Sequence, residues 1–139
     1  MHTPNTINRY IPFEGNPFQN GPIKYVAPAI DPQIEIFLSC LIGGEDANRA
    51  YNESVSLYLK GSLDRVALEK ALQDSINRHE SLRASFNADG SIVCIHENIP
   101  FNLYYKDLSS QGERQQQEFL KRYTTEDANL AFDLIRGPL

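Results

Sequence analysis

The stretch Asn77–Phe86, NRHESLRASF, decides how this chain is read, because the spacing of apolar residues changes period across it. Upstream, Asp64 caps a helix whose i, i+4 stripe is Leu68, Leu72 and Ile76, with Leu63 placed to staple onto Leu68; the spacing predicts a helix to about His79. Downstream, Leu82, Ala84 and Phe86 alternate as in a strand, and Asn87-Ala-Asp-Gly90 makes a hairpin turn. The return stretch Ser91–His96, SIVCIH, is apolar on both faces, as a central strand is. Further out, Asp31-Pro32 opens a helix with Ile34, Phe37, Leu38 and Leu41 on one face, and Gly43-Gly44 closes it. Asn52–Lys60 alternates with Val55, Leu57 and Leu59 on one side, a strand closed by Gly61, and Phe101, Leu103 and Tyr105 alternate again. Ser110–Glu113 has the spacing of a capping box before a polar helix with the thin stripe Phe119, Tyr123 and Leu130, and Ala131–Leu139 reads as extended or turn-like. The order αβαβββα is that of an α+β fold, with helices covering one face of a mixed, largely antiparallel sheet.

Composition limits the alternatives. The chain has 139 residues, 41% of them hydrophobic, enough for one domain with a core. A net charge of −5, with Lys and Arg scattered among acidic side chains, leaves no basic stripe for a phosphate backbone, so no nucleic acid partner is expected. No apolar run approaches the roughly 20 residues that span a bilayer, and the opening MHTPNTINRY lacks a signal-peptide layout; neither a membrane partner nor export is expected, and the location read from the sequence is cytoplasmic. Cys40 and Cys94 sit in apolar stretches without metal or redox spacing and read as buried structural thiols. Residues 1–28 hold five of the eight prolines, with Tyr10, Ile11, Phe13, Phe18, Ile23, Tyr25 and Val26 between them, a linker or a strap docked on the domain that occupies 29–139.

The charged joint itself is read as scaffold. Extending the helical stripe by three residues brings His79 to the buried face at the helix C-terminus, a structural histidine with Ser81 and Ser85 as its nearest hydroxyls. Arg78, Glu80 and Arg83 are expected to form a local ion-pair network that fixes a neighbouring element. His2, His79 and His96 have no metal-ligand spacing, and Glu45-Asp46 and Glu126-Asp127 read as solvated pairs near helix ends or loops.

Arg78–Phe86, RHESLRASF, resembles the RHExLRTxF motif of condensation domains of nonribosomal peptide synthetases, matching at Arg78, His79, Glu80, Leu82, Arg83 and Phe86, with Ala84 in place of the threonine. Ala50–Arg83 is similar to the family's first strand, GxLDxxALxxAL connection and second helix, and Ala131–Leu139 to its FDLxxGPL stretch. The opening motif SxAQxR[LM][WY] is degenerate: in Asp31–Leu38, Gln33 is retained, and Phe37 stands at the aromatic position. The segment before it is similar to linkers that precede such domains.

The resemblance implies one lobe, the N-terminal one, of a chloramphenicol-acetyltransferase-like two-layer sandwich, with reaction in a tunnel between two lobes. In the family an HHxxxDG motif assists attack of a carrier-tethered aminoacyl amine on a carrier-tethered acyl or peptidyl thioester, a transfer that depends chiefly on orientation and one weak base. No such motif occurs in these 139 residues, so no catalytic residue is assigned and the chain is expected to be inactive alone, as half of an amide-forming acyltransferase. No cofactor or metal is expected to bind directly; substrates would arrive on phosphopantetheine arms, and the implied partners are carrier proteins and adjacent synthetase domains. Two other readings stand beside this: a non-catalytic module that binds carriers or neighbouring synthetase chains, and half of a related acyltransferase with an alcohol acceptor or coenzyme A donor. Apolar side chains at Ile92–Ile95 and Phe101–Tyr105 are expected to lack cover and to favour a homodimer of the fragment over a monomer.

Overall fold

A computed structural model describes residues 22–137 as two compact units, one of 22–38, 76–99 and 133–137 and the other of 39–75 and 100–132. The elements are β1 Ile23–Pro28, α1 Asp31–Arg49, α2 Arg65–Arg78, a 3-10 turn Glu80–Arg83, β2 Ala84–Phe86, β3 Ile92–His96 and α3 Glu113–Ala128. Residues 1–21 of the expected strap, and Pro138 and Leu139 of the FDLxxGPL stretch, lie outside the described residues.

The first unit is built on an antiparallel sheet of order β1-β3-β2. As the two-sided apolar pattern of SIVCIH requires, β3 is central, and its hairpin to β2 closes through Asn87 N–H to the Ile92 carbonyl at 3.0 Å. The strap boundary at 28 is corrected: Ile23–Pro28 is a strand of the sheet, paired Val26 to Cys94 and Tyr25 to Ile95, with Pro28 at its last position. One face carries Ala84, Phe86, Val93 and Ile95, and α1 meets it through Phe37, whose ring lies 5.3 Å from that of Phe86. Gly90, at φ +73° in the hairpin, lies directly under the Phe37 ring, where a side chain would not fit. The other face carries Val26 and Cys94, with Ile23, Ile92 and Ile135 packed against them. The FDLIRG segment closes the outer edge of β2: Phe86 N–H donates to the Leu134 carbonyl at 2.7 Å. Asp133 Oδ1 accepts from the N–H groups of Ile135 and Arg136. Gly137, at φ +47°, packs on Ser85 so closely that a Cβ there would stand 2.9 Å from the Ser85 Cβ.

Several expected elements differ. Helix α1 begins on the Ile30 carbonyl, and its first segment stops at Gly44, whose φ 65° and ψ −154° are not helical, as Gly43-Gly44 predicts; a second helical segment then follows across the kink to Arg49. In the second unit neither Asn52–Lys60 nor Phe101–Tyr105 enters a sheet among the described residues. The latter is held by side chains of α2 instead: Phe101 N–H donates to Gln73 Oε1 at 2.7 Å and Leu103 N–H to Glu69 Oε1 at 2.9 Å. Tyr104 stacks on Tyr123, which stacks on Phe119. The expected Asp64 cap is present through Ala67 N–H at 3.0 Å. The capping glutamine of α3 is Gln115, accepting from Gly112 N–H, so that helix starts later than the Ser110 box predicts, and Leu130 falls beyond its end.

Candidate functional site

Arg83 is the centre of the joint. The turn that follows α2 directs its side chain inward, where it is 3% exposed. Its guanidinium donates from Nε to the Ile76 carbonyl at 3.0 Å and from Nη2 to the Asn77 carbonyl at 3.2 Å, both at the C-terminal end of α2. From Nη1 it donates to the carbonyls of His96 and, at 3.1 Å, Glu97, at the end of β3. One planar cation thus ties a helix end to a strand end. The negative end of the helix dipole and four oriented carbonyls take the place of a carboxylate. This corrects the expected ion-pair network, since carbonyls are backbone acceptors that no side-chain pattern announces.

Glu80 looks the other way. Its carboxylate accepts from the Lys24 ammonium at 3.2 Å and from the Tyr25 hydroxyl, both on β1. These two donors, Tyr25 first, hold its carboxyl below the ordinary glutamate range. Arg78 is exposed at the last position of α2 and enters none of the ion pairs of the described residues. His79 is a correction of the same kind. Helix α2 ends at Arg78, and His79, with φ −102° and ψ 107°, is extended and exposed. Leaving the helix one residue earlier than expected removes it from the stripe. Leu82 is 42% exposed, whereas Phe86 is buried against Phe37. Gln33 caps α1 by accepting the Ile30 N–H at 3.0 Å, so the retained residue of the degenerate first motif sets where the helix begins.

Ser85 and His96 form a pair that the sequence reading leaves unassigned. They share a sheet face with Cys94, each is 0% exposed, and Ser85 Oγ lies 2.9 Å from His96 Nε2. Burial, and then the charge of Arg83, push the His96 pKa below its ordinary value. With both side chains enclosed, Ser85 is shielded from any acyl donor, and the pair serves as an internal strut between β2 and β3. The alternation in SIVCIH carried the signal, since period two puts His96 on the face of Cys94. The thiols of Cys40 and Cys94 are buried and free, and burial raises the pKa of both.

The residues of the RHESLRASF and FDLIRG stretches therefore meet in one packed unit: Phe86 bonds to Leu134, Gly137 seats on Ser85, and Arg83 bonds beside His96. The model of the condensation domain family matches residues 42–139. The chain belongs to the condensation domain family. Similar proteins are peptide synthases: chondramide synthase of Chondromyces crocatus is 37% identical over 116 residues, which is 82% of this chain and 3% of that protein. A linear gramicidin synthase of Brevibacillus parabrevis is 41% identical over 91 residues, 64% of this chain and 2% of the synthase. A surfactin synthase of Bacillus subtilis strain 168 is 39% identical over 95 residues, 67% of this chain and 2% of the synthase. The condensation-domain chain spans only a few per cent of the length of these relatives, and no described helix is long and apolar enough to cross a membrane.

Proposed function

We propose that this chain is the N-terminal lobe of a nonribosomal peptide synthetase condensation domain of the chloramphenicol-acetyltransferase-like type. It forms one wall of the tunnel in which a carrier-tethered acyl thioester is joined to the amine of a carrier-tethered aminoacyl group. The observation that carries this reading is the family match over residues 42–139. The packing of Arg83, Phe86, Leu134 and Gly137 into one unit supports it, because it gives the motif residues a shared scaffolding role. In this role the joint orients elements and does not react: Arg83 spends its donors on backbone carbonyls, and Ser85 and His96 are enclosed. Carrier proteins bearing phosphopantetheine arms and adjacent synthetase domains are the partners of this reading. The 139 residues include no adjacent histidine pair, so the chain by itself supplies no base for the acceptor amine.

The experiment mixes the purified chain with a donor carrier loaded as aminoacyl thioester and an acceptor carrier loaded with an amine. Amide formation at the uncatalysed rate is expected, rising when a condensation-domain polypeptide bearing HHxxxDG is fused after Leu139. Turnover by the 139-residue chain alone would overturn the scaffold assignment. Inactivity of the fused protein combined with carrier binding would favour a non-catalytic carrier-binding module.

A further inference from the structure

Residues Asp133–Gly137 hold their shape through their own bonds. The Gly137 N–H donates to the Asp133 carbonyl at 2.7 Å, closing one helical turn. Asp133 Oδ1 caps that turn, accepting from the N–H groups of Ile135 at 3.1 Å and Arg136 at 2.8 Å. Gly137, at φ +47°, supplies the left-handed residue on which such turns end. The turn meets the sheet at the outer edge of β2 and straddles it. Leu134 packs on the cluster around Phe37 and Phe86, while Ile135 reaches that cluster and also Val26 and Cys94 on the other face. On this second face Ser85, Cys94 and His96 are all buried. Ile23 and Ile92, which also pack against Val26 and Cys94, belong to the sheet itself. Among the described residues, Ile135 is thus the apolar side chain that comes to this pair from outside the sheet. This corrects the expectation that Ile92–Ile95 lacks cover.

We infer that the turn Asp133–Gly137 is a clip that closes the Ser85–Cys94–His96 face, and that solvent reaches this face when the clip lifts from β2 while the sheet stays formed. The bonding separates the two events. Strand β3 is paired along both edges, to β1 and to β2, and its Val93, Cys94 and Ile95 are buried. The clip lies against one edge of a three-residue strand, joined there by the bond from Phe86 N–H to the Leu134 carbonyl, and its Leu134 and Ile135 are only half-buried. Lifting it keeps the Asp133 cap and the Gly137-to-Asp133 bond, and exposes less apolar surface than opening the sheet does. Such a movement belongs to the low end of local opening free energies. Closure also has a steric condition. A Cβ on Gly137 would stand 2.9 Å from the Ser85 Cβ and 3.1 Å from the Ala84 carbonyl oxygen, so the clip seats fully only with a bare α-carbon at that position. When seated, it keeps a thiol, a hydroxyl and an imidazole dry.

The test is the rate at which Cys94 reacts with an aromatic disulfide reagent, measured in the 139-residue chain carrying Cys40→Ala so that one thiol reports, beside the urea midpoint of each variant. The rate is expected to be nearly independent of urea at low concentration, because a local opening exposes little surface. Asp133→Ala should raise it about fivefold, the scale of one lost capping interaction. Ile135→Ala and Gly137→Ala should raise it as well, the first by uncovering Cys94 and the second by unseating the turn. Asp89→Ala removes the hairpin bonds to the Ser91 N–H and hydroxyl, at a site without contact to the clip. It should lower the urea midpoint and leave the labelling rate unchanged. In the chain without substitutions, amide hydrogen exchange should be faster at Phe86 than along β3. A labelling rate that climbs with urea as steeply as unfolding does, or that simply follows the urea midpoint across the variants, places access in global unfolding and overturns the proposal. Equal acceleration by Asp89→Ala and Asp133→Ala overturns it too, as does exchange at Phe86 no faster than along β3.

Discussion

At the scale of single residues, the joint is governed by which backbone groups a side chain can reach. Arg83 bonds four carbonyls with one rigid fork, and its removal takes a charged donor from each of them and from the end of α2. Arg83→Ala is therefore expected to lower stability by about 2–4 kcal/mol in urea unfolding. Arg83→Lys should recover less than half of that loss, because an ammonium cannot span carbonyls on two elements. His79→Ala, at an exposed extended position, should leave the urea midpoint within error of wild type. A large loss at His79 beside a small one at Arg83 would reverse the assignment. RHESLR announced that a charged junction joins helix to strand. It did not show that the arginine turns inward and the histidine outward, because that depends on α2 stopping at Arg78, one residue before the expected end.

At the scale of elements, glycines show where close approach matters and where only backbone freedom does. Gly90 has positive φ and lies under the Phe37 ring, so Gly90→Ala must both strain the turn and push α1 from the sheet. Gly44 also has positive φ, at the bend of α1, but nothing lies within 4 Å of where a Cβ would be. Gly44→Ala is expected to cost about 1–2 kcal/mol, the conformational penalty alone, and Gly90→Ala at least about 2 kcal/mol more. Paired thermal or urea unfolding of the two variants checks this, and equal losses would show that the Phe37 contact contributes nothing. The hairpin, the central strand and the Asp64 cap were legible because each is written in local residues. The strands expected at Asn52–Lys60 and Phe101–Tyr105 were not formed, for alternation states which face a strand offers and not whether a neighbouring strand is there to take it. Leu103 and Phe101 show the consequence, with their N–H groups held by Glu69 and Gln73 side chains.

At the scale of the whole molecule, stability is coupled to pH through the enclosed His96. An unfolded histidine takes up a proton near pH 6.5, whereas burial and Arg83 oppose that uptake in the fold. Between the depressed folded value and about 6.5 the unfolded chain binds more protons, so stability rises with pH across that window and is lost as pH falls through it. Glu80 acts separately and in a more acidic range: its contribution is present above the unfolded glutamate value of about 4.3 and is lost below it as its lowered folded value is approached. The urea midpoint is expected to fall between pH 7.5 and pH 5.5, and His96→Gln should flatten that interval while lowering the midpoint at pH 7.5. An unchanged wild-type midpoint from pH 7.5 to 5.5 would sink this account. The sequence by itself determined the α+β class, the order of helix, hairpin and central strand, and the family signatures, because periods, caps and turns act over a few residues. Only the tertiary structure decided that Arg83 is held by backbone carbonyls, that Ser85 meets His96 under Gly137, and that Ile23–Pro28 is a strand. Those outcomes depend on backbone groups and on segments distant along the chain, and neither leaves a mark in local spacing.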